Sequence, residues 1–266
     1  MNIHPTAIVS PQARIDPTVV VGPYAFIGPH VQIGAKTEVG PFCFVDGHTT
    51  IGTDNRLFPH VSIGAPPQDI KFGGETSFIR IGNGNHIREY VTIHAAQGEN
   101  TETVIGDRNM FMAYVHIAHN CTVGNHCIFA NCATLAGHVH VGDRAVLGGF
   151  AGIHQFCHVG GYVMIGGMSK ITKDVPPYVK IDGNPARVIG LNSVGLKRNG
   201  VPKESLDAIR SLYKVFYRSN LNVSQAVAEL EKRPEASDAF VKDFLGFIRS
   251  CKRGVYKRTR ESSAEI

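Results

Sequence analysis

Six residues near the middle of this 266-residue chain are of types that could do chemistry together: His116, His119, Gly137, His138, His154 and Gln155. Their spacing is regular. His119, Gly137 and Gln155 follow one another at intervals of 18, as do Ala118, Ala136 and His154, and Asn120, His138 and Phe156. An imidazole with an ordinary pKa near 6.5 can remove a hydroxyl proton at neutral pH. A glycine N–H beside it can stabilise the oxyanion of a tetrahedral intermediate. Those two parts suffice for direct acyl transfer to an alcohol, with no covalent enzyme intermediate.

The interval of 18 has chemical meaning only if the fold turns it into contact. Reading every sixth residue from Ile3 to Ile171 gives Ile, Val, Leu or Phe at 26 of 29 positions, with Asp69, Glu75 and Glu99 the exceptions. The following position is Gly thirteen times, Gly22, Gly28, Gly124 and Gly142 among them. Neither a helix nor a meander of longer strands has a period of six, whereas hexapeptide β-helices do. Three hexads make an 18-residue coil, so residues 18 apart stack at the strand spacing of about 4.8 Å. The six chemistry-bearing residues then form one surface patch. Cys43, Cys121, Cys127 and Cys157 fall in the small inward position of their hexads, which predicts buried thiols without metal or disulfide roles.

Two segments leave the pattern yet keep its phase. One holds Pro66-Pro67-Gln68-Asp69-Ile70-Lys71-Phe72-Gly73-Gly74 and the other Ala95 to Asn100, and both read as loops ejected from the solenoid. From Asn192 the pattern becomes helical, with helices expected over 192–199, 202–219, 224–232 and 237–250. This predicts a β-helix domain over 1–188 and a small helical domain over 189–266 that covers the solenoid's open end. Lys252 to Arg260 reads as a basic tail.

The hexad pattern resembles the hexapeptide-repeat acyltransferases, which implies a mainly β fold, a left-handed parallel β-helix followed by helices. The hand comes from the resemblance alone, since the general crossover rule favours the other one. The motifs His116-Ile117-Ala118-His119, Ala136-Gly137-His138, His154-Gln155-Phe156-Cys157, Gln68-Asp69-Ile70-Lys71 and Gly195-Leu196-Lys197-Arg198 narrow the likeness. They are similar to those of the acyl-carrier-protein-dependent UDP-N-acetylglucosamine O-acyltransferases of lipid A synthesis, over essentially the whole chain. Asp174-Val175-Pro176-Pro177-Tyr178 and Gly183-Asn184-Pro185-Ala186 mark the wider superfamily.

That resemblance implies His119 as general base on the sugar 3-hydroxyl and the Gly137 N–H as oxyanion donor. It also implies that His116, His138, His154 and Gln155 hold sugar and thioester. Gln68, Asp69 and Lys71 would contact the glucosamine and its diphosphate, and Asn192 and Arg198 the nucleotide. Acyl carrier protein bearing a 3-hydroxyacyl chain and UDP-N-acetylglucosamine are the implied substrates. A homotrimer with clefts between subunits and the absence of a cofactor follow from the same likeness. An acyl-chain ruler would sit at Gly167, near Met164. Gly167 lies 48 residues past His119, roughly 13 Å along the axis at the strand spacing, and a glycine there predicts a long acyl chain.

The chain departs from that family at Asn120, where Asp is usual, and at Val194 and Asn199, where Glu and Arg are frequent. An Asn after the base is also the pattern of the sibling N-acyltransferases, so transfer to a 3-amino sugar nucleotide is a second reading. A zinc site of the gamma carbonic anhydrase type, drawn from His86, His94, His116 and His119, is a third.

Composition bounds these readings. With 43% hydrophobic residues the chain can build a core, and a net charge of +5 mildly favours anionic partners. Lys203, Arg210, Lys214 and Arg218 on the expected helices could face an acidic carrier protein. No apolar run approaches the roughly 20 residues of a membrane span, and no motif supports nucleic-acid binding. Met1-Asn2-Ile3-His4-Pro5 has neither a basic nor an apolar leader region, so a cytoplasmic protein is expected.

Overall fold

The computed structural model describes residues 2–257, so Arg258 to Arg260 of the expected basic tail lie outside the described residues. Short strands, most of two residues, stack into three sheets of 11, 9 and 8 strands. Pairing between coils is parallel, with Asn2 opposite Val20, Ile8 opposite Phe26 and Arg14 opposite Gln32. The chain is a left-handed parallel β-helix, a three-sided prism followed by helices. At every strand the sixth-position residue points inward, and Ile27, Ile63, Ile93, Ile117, Leu135 and Ile165 are fully buried. Each such side chain contributes about 1.5–3 kcal/mol when removed from water. Cys43, Cys121, Cys127 and Cys157 are buried among them, and burial pushes the Cys121 and Cys127 thiols up to about 12.

The edges of the prism are as regular as its faces. Between the first and second sheets, Pro23, Pro41 and Pro59 precede Tyr24, Phe42 and His60, which adopt positive φ of 57°, 58° and 63°. Proline fixes the second position of a type II turn, and the third position must be left-handed. The cost for a non-glycine residue is offset by a hydrogen bond to the coil before. The Phe42 N–H donates to Pro23 O at 3.0 Å and that of His60 to Pro41 O at 3.2 Å.

The edge between the third and first sheets is built from side-chain amides. Inside it, the Asn85 N–H and Nδ2 donate to Asn55 Oδ1 at 2.9 and 3.0 Å, the Asn109 N–H donates to Asn85 Oδ1 at 2.9 Å, and the Cys127 N–H to Asn109 Oδ1 at 2.7 Å. Outside it, Asp107, Asn125 and Asp143 accept the backbone N–H of Asn83, Asp107 and Asn125 at 2.7, 2.7 and 2.8 Å. The inner ladder supplies acceptors for turn N–H groups that would otherwise be buried without one.

Two coils are longer than the rest. Ser62 pairs with Thr92 where a regular coil would bring Arg80, and Thr92 pairs with His116 where a regular coil would bring Met110. The surplus leaves after strands Ser62–Ile63 and Thr92–Ile93, so both loops emerge at the edge between the second and third sheets.

The last strand of the prism, Val179–Gly183, turns back as the antiparallel strand Ala186–Leu191. Helices α1 (Ser193–Arg198), α2 (Lys203–Arg218), α3 (Val223–Glu231) and α4 (Ala239–Ser250) follow, with a single 3-10 turn over Pro234–Ser237. Asn192 caps α1, Asn222 and Gln225 form a capping box on α3, and Asp238 caps α4. The helices are tied to the prism where the Tyr178 hydroxyl donates to Asp243 Oδ2 at 2.5 Å. Buried Asp174 accepts the backbone N–H groups of Lys252 and Arg253.

Replacing Asn85 with Ala strands the Asn109 N–H in the core, while the backbone N–H of residue 85 still serves Asn55 Oδ1. We expect a loss of about 1–3 kcal/mol in urea unfolding, and an unchanged midpoint would show that the inner ladder contributes nothing.

Candidate active site

His119 and Asn120 form the corner between strands His116–Ile117 and Thr122–Val123, on the edge from which both long loops emerge. Asn120 takes a positive φ of 58° and its N–H donates to Thr103 Oγ1 at 2.9 Å. Its side chain closes on the shorter loop. Asn120 Oδ1 accepts the Gln97 N–H at 2.9 Å, while Nδ2 donates to Gln97 O at 3.1 Å. That reciprocal pair fixes which end of the amide is oxygen.

The orientation of Asn120 determines the tautomer of His119. His119 Nδ1 lies 2.8 Å from Asn120 Oδ1. Because that oxygen only accepts, Nδ1 must carry the proton. In the neutral ring Nε2 is then free of one. Nε2 lies 3.9 Å from Asp69 Oδ2, brought in by the longer loop. Asp69 is held by its own backbone, since its Oδ1 accepts the Lys71 N–H at 2.8 Å.

Gly137 stacks one coil further along. A Cβ built on it would fall 2.5 Å from both Cε1 and Nε2 of His119, so no side chain fits there while the imidazole keeps its place. Among the described residues no acceptor takes the Gly137 N–H. A cleft of about 370 Å³ joins these parts, and Gln68, Asp69, His94, His116, His119 and Gly137 line it together with Thr134 and Gln155.

The remaining expected residues fall at varying distances from it. His138 stands edge-on to His119, ring centroids 5.1 Å apart, and stacks on Phe156 at 4.7 Å. His154 is exposed, its Nδ1 3.1 Å from Gln155 O. The Lys71 side chain is exposed on the loop. Asn192 is buried away from the cleft, where its Oδ1 accepts the Gly195 N–H and its Nδ2 donates to Tyr162 O. Arg198 is exposed in the last turn of α1. Gly167 lies on the edge between the first and second sheets and Met164 on the adjoining strand, both exposed and neither lining this cleft.

His94 enters the cleft although sequence reasoning counted it only as a zinc candidate. Its Nδ1–H donates to Pro66 O at 2.8 Å, and its ring meets His116 at 76°. Among the described residues no group of three or more His, Cys, Asp or Glu is arranged to hold a metal ion, and His86 projects from a different sheet. Burial holds His94 below the ordinary imidazole range. It pushes His116, whose Nδ1 lies 2.7 Å from Thr92 Oγ1, down to about 4, with the neighbouring His94 and His119 adding to the effect.

A depressed histidine costs stability in acid. Unfolded His116 takes up its proton as pH falls through about 6.5, but the folded residue does so only near pH 4. Stability must therefore decline across that window and gain no further slope from this group below it. His116→Gln should flatten the decline in the urea midpoint between those limits, and an unchanged slope would contradict the depressed value.

Comparison with known proteins places this geometry. Residues 174–256 match the family described as UDP N-acetylglucosamine O-acyltransferase, domain 2, and residues 102–137 match the bacterial transferase hexapeptide repeats. Among solved structures, LpxA from Acinetobacter baumannii superposes with a TM-score of 0.92 at 42% identity, covering 97% of this chain and all of that one (100%). The UDP-N-acetylglucosamine O-acyltransferase of Moraxella catarrhalis gives 0.92 at 40% identity with the same coverage of both chains. The acyl-(acyl-carrier-protein)-UDP-N-acetylglucosamine O-acyltransferase of Verminephrobacter eiseniae is 47% identical over 96% of this chain and 99% of its own length. That of Thermodesulfovibrio yellowstonii is 48% identical over 95% and 98%. With such identity along nearly the full length of both chains, the protein belongs to the acyl-(acyl-carrier-protein)-UDP-N-acetylglucosamine O-acyltransferase family.

Proposed function

We propose that the protein transfers a 3-hydroxyacyl chain from acyl carrier protein to the 3-hydroxyl of UDP-N-acetylglucosamine, the first step of lipid A biosynthesis, with His119 as general base. The observation that carries this is His119 Nδ1 held 2.8 Å from Asn120 Oδ1, which leaves Nε2 without a proton in the neutral ring, in a cleft that Gly137 also lines. Nε2 takes the hydroxyl proton as the sugar oxygen attacks the thioester carbonyl. The Gly137 N–H receives the resulting oxyanion. Collapse expels the thiolate, which recovers the proton from the imidazolium, so the base is regenerated.

Asn120 accepts the Nδ1–H but, being neutral, offers the imidazolium no charge. Asp69, with its carboxylate 3.9 Å from Nε2, supplies the nearest negative charge and an acceptor for the incoming sugar. Neutral His94 and His116 line the cleft without repelling the imidazolium. Gln68 and Lys71 complete the sugar and diphosphate contacts, and Gln155, His138 and His154 the thioester side.

The same reading makes the enzyme a homotrimer, in which Asn192 and Arg198 serve a neighbouring cleft. Both amide ends of Asn192 are committed to backbone partners, so its part is to fix α1 while Arg198 meets the nucleotide. An exposed ridge supports self-association. The rings of Tyr24, Phe42, His60, Tyr90 and Tyr114 stack in sequence at 5.2, 5.0, 4.8 and 5.0 Å along one edge. A contiguous apolar surface of that kind marks an interface. On the same edge Gly149 and Gly167 precede exposed Phe150 and Met168, and the absence of a side chain at the glycines suits a ruler open to a long chain.

Mass spectrometry of reactions with 3-hydroxyacyl carriers of several lengths and UDP-N-acetylglucosamine, or its 3-amino analogue, tests the assignment. Ester product is expected, and His119→Ala should lower kcat by about 10² to 10⁴; amide product alone would overturn the hydroxyl acceptor. Gly137→Ala should displace the imidazole and cost about 10² in kcat with the circular dichroism intact. Gly167→Met should shorten the preferred acyl chain, and an unchanged length profile would dispose of the ruler.

A further inference from the structure

The His119 proton is placed by the Asn120 amide, and that amide is placed by two atoms of Gln97. Asn120 Oδ1 meets the Gln97 N–H and Asn120 Nδ2 meets Gln97 O. The two atoms belong to different peptide units. The N–H sits on the unit that follows Ala96, which is fully buried. The carbonyl sits on the unit that leads to Gly98, whose φ of +100° lies in the region open to glycine. Glycine leaves that second unit free to rotate. Once rotated, it would present the Gly98 N–H in place of Gln97 O, each orientation of the Asn120 amide would then satisfy one loop donor, and the two orientations would become comparable. In the inverted amide Nδ2 faces His119 Nδ1, which must accept, and the ring proton moves to Nε2.

Thr101 grips that carbonyl. Its own place is set by the prism, since its backbone oxygen accepts the Phe78 N–H at 2.9 Å just before strand Glu102–Ile105. From there the hydroxyl reaches back to Gln97 O at 2.8 Å and Gly98 O at 2.7 Å, one hydrogen shared between two acceptors. The Thr101 N–H closes the turn on Gly98 O at 3.2 Å. Among the described residues two donors reach Gln97 O, Asn120 Nδ2 at 3.1 Å and the Thr101 hydroxyl. The tip of the turn is tied elsewhere, to the far end of the longer loop. There the Asn100 N–H donates to Thr76 O at 2.8 Å and Glu99 Oε2 accepts the Thr76 N–H at 3.0 Å. Those bonds hold the tip and leave the Gln97 carbonyl to Thr101.

We infer that Thr101 is a positioning residue, whose hydroxyl holds the Gln97 carbonyl, and through it the Asn120 amide, in the orientation that keeps the His119 proton on Nδ1. It touches neither His119 nor the cleft and acts through two intermediaries. Its bearing on catalysis rests on the acyl-transfer reading above, because only a proton-free Nε2 can take the hydroxyl proton.

Three variants of the full-length protein test it. Thr101→Val removes the donor at nearly constant shape, Thr101→Ala removes it in a smaller side chain, and Thr101→Ser keeps it. In nitrogen-edited NMR of histidine-labelled protein, the Val and Ala variants should show the His119 proton divided between Nδ1 and Nε2, whereas Ser should keep it on Nδ1. With a 3-hydroxyacyl carrier protein and UDP-N-acetylglucosamine, Val and Ala should lower kcat about fivefold, the worth of one neutral hydrogen bond, with both KM values held within about twofold. Ser should match the wild type. An undivided Nδ1 proton in the Val and Ala variants would overturn the inference whatever kcat does, and so would a Ser variant as impaired as Val. A divided proton with kcat unchanged, or with no turnover even by the wild type, would uphold the positioning role and count against the acyl-transfer reading with His119 as base.

Discussion

Everything in the molecule depends on one constraint, that each coil of the prism must return in register to hydrogen-bond with the coil before it. Parallel pairing at a constant step of three hexads lets the sixth-position aliphatics fill a continuous core. It also forces the turn residues into columns along three edges. Columns are what bring His119, Gly137 and Gln155 together from distant parts of the chain. The rigidity has a chemical consequence, since the His119 imidazole and the Gly137 N–H, fixed to successive coils, cannot drift apart.

Insertions are tolerated only where they leave the register whole. The surplus residues of the two long coils leave at the edge that carries His119 and meet it from one side. The shorter loop contributes only backbone at Gln97, yet through Asn120 it determines which nitrogen of His119 is free. The longer loop brings a carboxylate at Asp69. The His119 imidazole is thus placed by the prism, and its proton placement and charge environment are set by loops.

Much of this was legible because the period of six is unambiguous. The prism, its two loops and the inward cysteines all followed from it, and the change to helical spacing at Asn192 marked where it ends. The patch around His119 was legible because those coils have the regular length. His94 was hidden for the opposite reason, since its coil carries an extra hexad before Thr92 finds its partner His116, and a uniform map misplaces it. The Gln97 clamp could not be seen, because it uses backbone atoms. The inner ladder left a signal that could have been found, the recurrence of Gly-x-x-Asn at Gly52 to Asn55, Gly82 to Asn85 and Gly106 to Asn109.

The account stands on the tautomer of one imidazole. Nitrogen-edited NMR of histidine-labelled protein, with His119 identified by the signal lost in His119→Ala, reads it directly. At neutral pH the proton should sit on Nδ1, and Nε2 should shift when UDP-N-acetylglucosamine binds. A proton on Nε2 of the free enzyme would contradict the assignment of His119 as the base.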